Sequence, residues 1–129
     1  RFRRAAMNYS MPAAPSAALG LSLLRDIDTY VAAARERAAL VSQVDAWVGA
    51  TDGVSWVRPE GPGYGCVALP AGTDDVAFVE RLHEEHGVMM VPGCLWESPG
   101  SVRLSWLQCD APSLQTGLAR LGDAVAQVR

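Results

Sequence analysis

Residues 87–106 read GVMMVPGCLWESPGSVRLSW, and the rest of the chain is organised around them. Gly87 ends a helix, and Val88-Met89-Met90-Val91 then forms an apolar strand. Pro92-Gly93 turns the chain, and a loop carrying Trp96 and Glu97 leads into an alternating strand from Ser101 to Leu107. The two-residue period of a strand places Val102, Leu104 and Trp106 on one face and Ser101, Arg103 and Ser105 on the other. Arg103 therefore stands on the polar face of a strand, beside a turn and a loop. The residues alone leave two readings open. One is a solvated arginine on a half-exposed strand, the commoner situation; the other is a planar guanidinium presented to a carboxylate.

Working outward, the segment before Gly87 is helical. Thr73 or Asp74 caps a helix from Asp75 to His86, with Val76, Val79 and Leu82 on its buried face. His83 and His86 sit one turn apart among Glu80, Glu84 and Glu85. With no third ligand and no short Cys/His spacing, they read as solvated residues and no metal site is expected. After the central stretch, Asp110 caps a closing helix in which Leu114, Leu118, Leu121, Val125 and Val128 make one apolar stripe.

Upstream, Val54 to Arg58 and Tyr64 to Leu69 read as two strands joined by the turn Pro59-Glu60-Gly61-Pro62-Gly63. Before them, apolar residues recur every three or four positions from Leu19 to Val48, predicting one helix capped by Ser16. Thirty-odd residues would make a rod of roughly 50 Å, longer than a small domain can cover. Pro12 and Pro15 leave residues 1–15 irregular. The expected fold class is α/β: a small two-layer sandwich, a three- to four-stranded sheet packed by helices and preceded by a long connecting helix. The expected divisions are a lead-in over 1–15, the connecting helix over 16–50 and a small domain over 51–129.

Composition narrows the function. The chain has 129 residues, half of them hydrophobic, and a net charge of −3, which argues against a nucleic-acid partner. No apolar run is long enough to cross a bilayer, and Arg1-Phe2-Arg3-Arg4 does not lead into the apolar core of a secretion signal. The three cysteines Cys66, Cys94 and Cys109 are widely spaced, so a reduced, cytoplasmic setting is expected. All 11 basic residues are arginines. With no lysine, the chain cannot supply a lysine amine to a carbonyl group. Arg1 in place of a methionine reads as a cut into a longer protein.

The run HGVMMVPGCLWESPGSVRLSW, followed by LQTGLARLGDAV, resembles the C-terminal end of fold-type I pyridoxal-phosphate aminotransferases of the class I/II group. NYSMPAAPSAALGLSLL resembles the segment leading out of that family's cofactor domain, the long helix its interdomain connector, and WVRPEGPGYGCVAL its first small-domain hairpin. The resemblance runs along the whole chain but covers only about the last third of a complete enzyme.

It implies that Arg103 binds the α-carboxylate of an amino-acid or 2-oxo-acid substrate, and that Tyr64 and Trp96 border the substrate pocket. Ordinary packing is the other reading of those two residues. Ser10 and Met11 fall in a segment that lies near the dimer interface in many relatives, and no contact is assigned to them. The resemblance also implies pyridoxal 5'-phosphate as cofactor, a missing large domain to hold it, and a homodimer. No catalytic and no cofactor-binding residue is expected in this segment. Two alternatives stay open: a free-standing, non-catalytic partner-binding domain, and the same domain of a related lyase, cyclase or condensing enzyme.

Overall fold

A computed structural model describes residues 13–60 and 63–128. The basic triplet at Arg1, Arg3 and Arg4, the segment with Ser10 and Met11, and Gly61-Pro62 of the predicted turn lie outside the described residues. The chain divides into two compact units, Arg1–Ala33 and Ala34–Arg129.

In the first unit, helix α1 (Ala14–Arg25) begins earlier than predicted. Its cap position is Ala13, which makes no side-chain cap bond, and Pro15 occupies the first turn, where its missing N–H is harmless. The predicted continuous helix is interrupted after Arg25. Asp26, a residue with poor helix propensity, leaves helical geometry at φ −109° and ψ 24°. Its N–H reaches back only three residues, to Leu23 O at 3.2 Å. Helix α2 (Ile27–Ala38) follows, and neither α1 nor α2 buries a residue. Leu19 is 61 % exposed and Leu21 and Leu24 are similarly open.

In the second unit the helical stretch is interrupted again before α3 (Val41–Ala50). Leu40 N–H bonds to Arg37 O at 3.1 Å and Gln43 N–H to Leu40 O at 3.0 Å, the tighter three-residue pattern. The Ser42 hydroxyl meanwhile donates to Ala39 O at 3.0 Å, competing for a carbonyl of the turn. The helical reading of 16–48 is thus right in extent and wrong in continuity. Neither interruption contains the glycine or proline that usually announces one.

The sheet has the order β1-β2-β4-β3, with every neighbouring pair antiparallel. Its strands are β1 (Ser55–Trp56), β2 (Tyr64–Ala68), β3 (Val91–Pro92) and β4 (Ser101–Ser105). The third strand is shorter than the predicted Val88–Val91 and displaced from it, sharing only Val91 and taking in Pro92, a residue expected in the turn. Val88 N–H still bonds back to Leu82 O at 3.3 Å, so the chain leaves the preceding helix late, and Pro92, which has no N–H to donate, is the last residue of the strand. A 3-10 turn, Gly93–Trp96, replaces the expected open loop.

Helix α4 (Asp75–His86) is capped by Asp74, whose carboxylate accepts from Val76 N and Ala77 N at 3.0 and 3.1 Å, and Gly87 ends it at φ 64°. Its buried stripe is Asp75, Phe78 and Leu82, a rotation from the predicted Val76, Val79 and Leu82 that leaves Val76 exposed. The reason is size: burying Phe78 removes more apolar surface from water than burying Val76. His83 is exposed as expected, whereas His86 is half-buried and its Nε2 has no hydrogen-bond partner. Among the described residues no three His, Cys, Asp or Glu side chains converge, and no helix is long and apolar enough to cross a membrane.

Helix α5 (Ala111–Ala126) buries Leu114, Leu118, Leu121, Ala124 and Val125. These residues join Phe78, Leu82 and Val44 over Val67, Val102, Leu104 and Trp106 in one core. One face of the sheet is thereby dry. On the other, Tyr64, Cys66, Ala68 and Ser105 are exposed.

Asp110 caps α5 by accepting from Ser113 N at 2.8 Å, and the Ser113 side chain, followed by this backbone bond, lowers its carboxyl pKa. A lowered folded pKa gives stability that is present above the unfolded pKa and lost as pH falls through the folded one. Asp110→Asn should therefore flatten the acid limb of a melting-temperature profile. An unchanged limb would show that this cap does not contribute there.

Candidate active-site face

The site is assembled on the open face of the sheet. Directly opposed residues of an antiparallel pair point the same way, so the register determines which side chains share a row. Arg103 of β4 is flanked by Cys66 of β2 and Val91 of β3. The next row pairs Tyr64 with Ser105, and the row on the other side pairs Ala68 with Ser101. Arg103 is half-buried at the centre of this face, between exposed residues of β2 and an edge strand only two residues long.

Trp96 reaches the same place from the 3-10 turn. The guanidinium carbon of Arg103 lies 4.9 Å from the centroid of the Trp96 ring, within cation–π range. Trp96 is itself 55 % exposed, so its ring covers the arginine rather than entering the core. Tyr64, 60 % exposed, stands on the same face one row away. The structure thus brings Arg103 and Trp96 into contact and sets Tyr64 beside them without joining it to either.

Three of the other arginines are tied to protein oxygens. Arg37 donates to Leu107 O at 2.9 Å, Arg120 donates to His86 O at 3.1 Å, and Arg58 pairs with Asp45 at 3.1 Å. Among the described residues no carboxylate pairs with Arg103, whose partner is the aromatic ring. A half-buried guanidinium stacked on one face keeps its in-plane N–H donors for an external acceptor. The acceptor that matches that fork is a carboxylate or a phosphate.

The turn that holds Trp96 is closed by local bonds. Ser98 N–H donates to Gly93 O at 3.0 Å, and the Ser101 hydroxyl donates to Ser98 O at 2.7 Å. Gly93 leaves no room for a side chain, since an added Cβ would collide with Ser101 Oγ and with the backbone oxygen of Ser98. Gly93→Ala should therefore destabilise the domain by about 1–3 kcal/mol, the usual effect of overpacking a tight site. A urea midpoint equal to that of the parent chain would show that the loop yields freely.

Cys66 and Val91 join the face without a motif to announce them, although the alternation of Cys66 with Val67 signals its side of the strand, and Ser105 lies on the side that the period of β4 predicts. Asp75 carries no local signal either, because its partner, Cys94 N, lies 19 residues away; that bond measures 2.6 Å. A cavity of about 330 Å³ at the β3 edge is lined by Met90, Val91, Arg103, Leu104 and Leu118 among others. A second, of about 350 Å³, lies over Trp56, Val57, Cys66, Ala68, Ser98 and Ser101.

No family model matches the chain. It is 40 % identical over 76 residues to an aspartate aminotransferase of Thermotoga maritima, covering 59 % of this chain and 18 % of that protein. It is 34 % identical over 70 residues to an aromatic aminotransferase of Arabidopsis thaliana, covering 54 % and 18 %. Among solved structures, a pyridoxal-phosphate-dependent aminotransferase from Streptococcus suis superposes with a TM-score of 0.76 at 26 % identity, over 81 % of this chain and 28 % of that one. The Thermotoga maritima aspartate aminotransferase superposes at 0.61 with 34 % identity, over 77 % and 24 %. The neighbours in sequence and in structure are aminotransferases, and the match is consistent with a C-terminal domain of a fold-type I enzyme. The chain spans about a fifth of the length of the curated relatives it matches.

Proposed function

We propose that this chain is the small-domain part of a pyridoxal-phosphate-dependent aminotransferase and that Arg103 binds the carboxylate of its amino-acid or 2-oxo-acid substrate. The observation that carries the reading is the Arg103 guanidinium on the open sheet face, stacked on Trp96 and facing no protein carboxylate among the described residues. Two parallel N–H···O bonds would fix both the position and the plane of the carboxylate, which orients the rest of the substrate. Trp96 covers one side of that plane, and Tyr64 and the exposed part of β2 border the approach. In this reading residues 16–50 connect to a large domain and residues 51–129 form the small one.

The residues present do not fit the cofactor. The chain has no lysine to couple to its aldehyde, and Arg103 is the cation at the centre of the candidate face. Pyridoxal phosphate would therefore be held by a large domain, in the same chain or another, and this segment's part is confined to the substrate. A homodimer and a cytoplasmic setting accord with the reading. The same carboxylate anchor would serve a lyase, a cyclase or a condensing enzyme; the relatives favour transamination.

An intact-mass measurement and a visible spectrum of the natural product test this. The expected product is a protein several times heavier than 13.7 kDa, or a complex of that size, carrying a chromophoric cofactor. A colourless natural product of this chain's mass, with no cofactor-bearing partner, would refute it. A second reading has its own observation: α1 and α2 bury nothing and α1 exposes a run of leucines, as a free-standing partner-binding element would. Gel filtration of the bare chain tests that surface, because a clean monomer argues against an unpartnered apolar surface of either origin.

A further inference from the structure

The geometry points to Asp75 as a positioning residue for the Arg103–Trp96 pair. This rests on the reading of Arg103 as the carboxylate anchor. Asp75 is the first residue of α4, yet Asp74 already caps that helix, so Asp75 is not needed for the cap. Its side chain is instead turned inward, and the residue is only 5 % exposed. A carboxylate is rarely buried to that degree without a specific partner. Asp75 Oδ2 accepts from Cys94 N at 2.6 Å, a charge-assisted bond to the backbone of the 3-10 turn.

Two residues further along that turn is Trp96. Its ring is more than half exposed and is missing from the core, so core packing does not hold it. Its position over Arg103 follows from where the turn's backbone is tied. The bonds of Gly93, Ser98 and Ser101 close the turn on itself and onto β4. Asp75 ties it to the start of α4. The chain of effect runs from the buried carboxylate to Cys94 N–H, from there to Trp96, and from its ring to the guanidinium plane.

The test is a ring-current measurement on the 129-residue chain. A cation above an indole face resonates upfield. The displacement of the Arg103 Nε–Hε peak relative to the Trp96→Leu variant is thus the signature of stacking. Asp75→Ala should lose most of that displacement, whereas Asp75→Asn, which keeps an acceptor oxygen for Cys94 N–H, should retain it.

Full displacement in Asp75→Ala overturns the assignment. So does equal loss in both variants, because a hydrogen-bond acceptor is then not what matters. Collapse of the core methyl resonances in Asp75→Ala and in the milder Asp75→Ser also overturns it, since Asp75 would then hold the domain and not the turn. A titration of the parent chain with sodium pyruvate, followed at the same peak, tests the anchor reading separately. A flat response there counts against Arg103 as a carboxylate site and leaves the ring-current result for Asp75 unaffected.

Discussion

Trp106→Ala is expected to remove about 3–5 kcal/mol of stability, the range for deleting a large buried aromatic side chain. Trp106 is fully buried, the largest of the buried side chains, and meets Trp56 edge-on with ring centroids 6.0 Å apart. Against a typical domain stability of about 5–15 kcal/mol, such a loss would leave the second unit marginal or unfolded at room temperature. One term works in the opposite direction. Trp106 Nε1 is buried without a hydrogen-bond partner, and an orphaned donor of that kind costs about 1–3 kcal/mol. Trp106→Phe removes the donor while keeping most of the ring, so it should destabilise far less than alanine. Urea denaturation of the two variants decides the point; equal losses would mean that the indole N–H, satisfied in solution, contributes and that ring volume does not.

The second large effect concerns function. In a cofactor-loaded enzyme that contains this chain, Arg103→Ala should reduce kcat/KM by about 2–3 kcal/mol, roughly 30- to 150-fold, with bound cofactor unchanged. Truncating one partner of a hydrogen-bonded charge pair costs about 2–5 kcal/mol, and the half-buried setting of Arg103 puts the expectation at the lower end. The loss should appear for both the amino acid and the 2-oxo acid, since both carry the carboxylate. Arg103→Lys should recover only part of it, because an ammonium supplies charge without the planar fork. Unchanged kinetics in Arg103→Ala would remove the assigned role.

The position of Arg103 is legible in the sequence because it depends on a period of two and on nothing else. Once Val102, Leu104 and Trp106 are inside, Arg103 is out. The closing helix is legible from its 3.6-residue period: Leu114, Leu118, Leu121 and Val125 are buried as expected, while Ala124 takes the fifth place and Val128 lies half-buried past the helix end. The interruptions after Arg25 and before Val41 are not, because each is a shift from four-residue to three-residue bonding that needs no special residue. The inward stripe of α4 departs from expectation because periodicity defines a helix's faces only to within a small rotation, and the size of Phe78 decides between them. The Trp96–Arg103 contact is beyond the reach of sequence patterns. It depends on a turn fastened by Asp75, Gly93 and Ser101, and the bond from Asp75 to Cys94 has no local sequence signature.

The sheet's single covered face has a consequence for how this domain can diversify. Along β2 and β4, neighbouring residues are subject to different constraints. Val67, Val102 and Leu104 answer to the core, while Tyr64 and Cys66 answer to what the open face meets and Ser105 also donates to Gly63 O at 3.2 Å. Ser101 is the exception, buried and bonded into the turn. Exchanges at positions 64 and 66 should therefore alter the surroundings of Arg103 while leaving the melting temperature almost untouched. Recognition and folding are recorded on alternate residues of the same two strands, so one can change without rewriting the other.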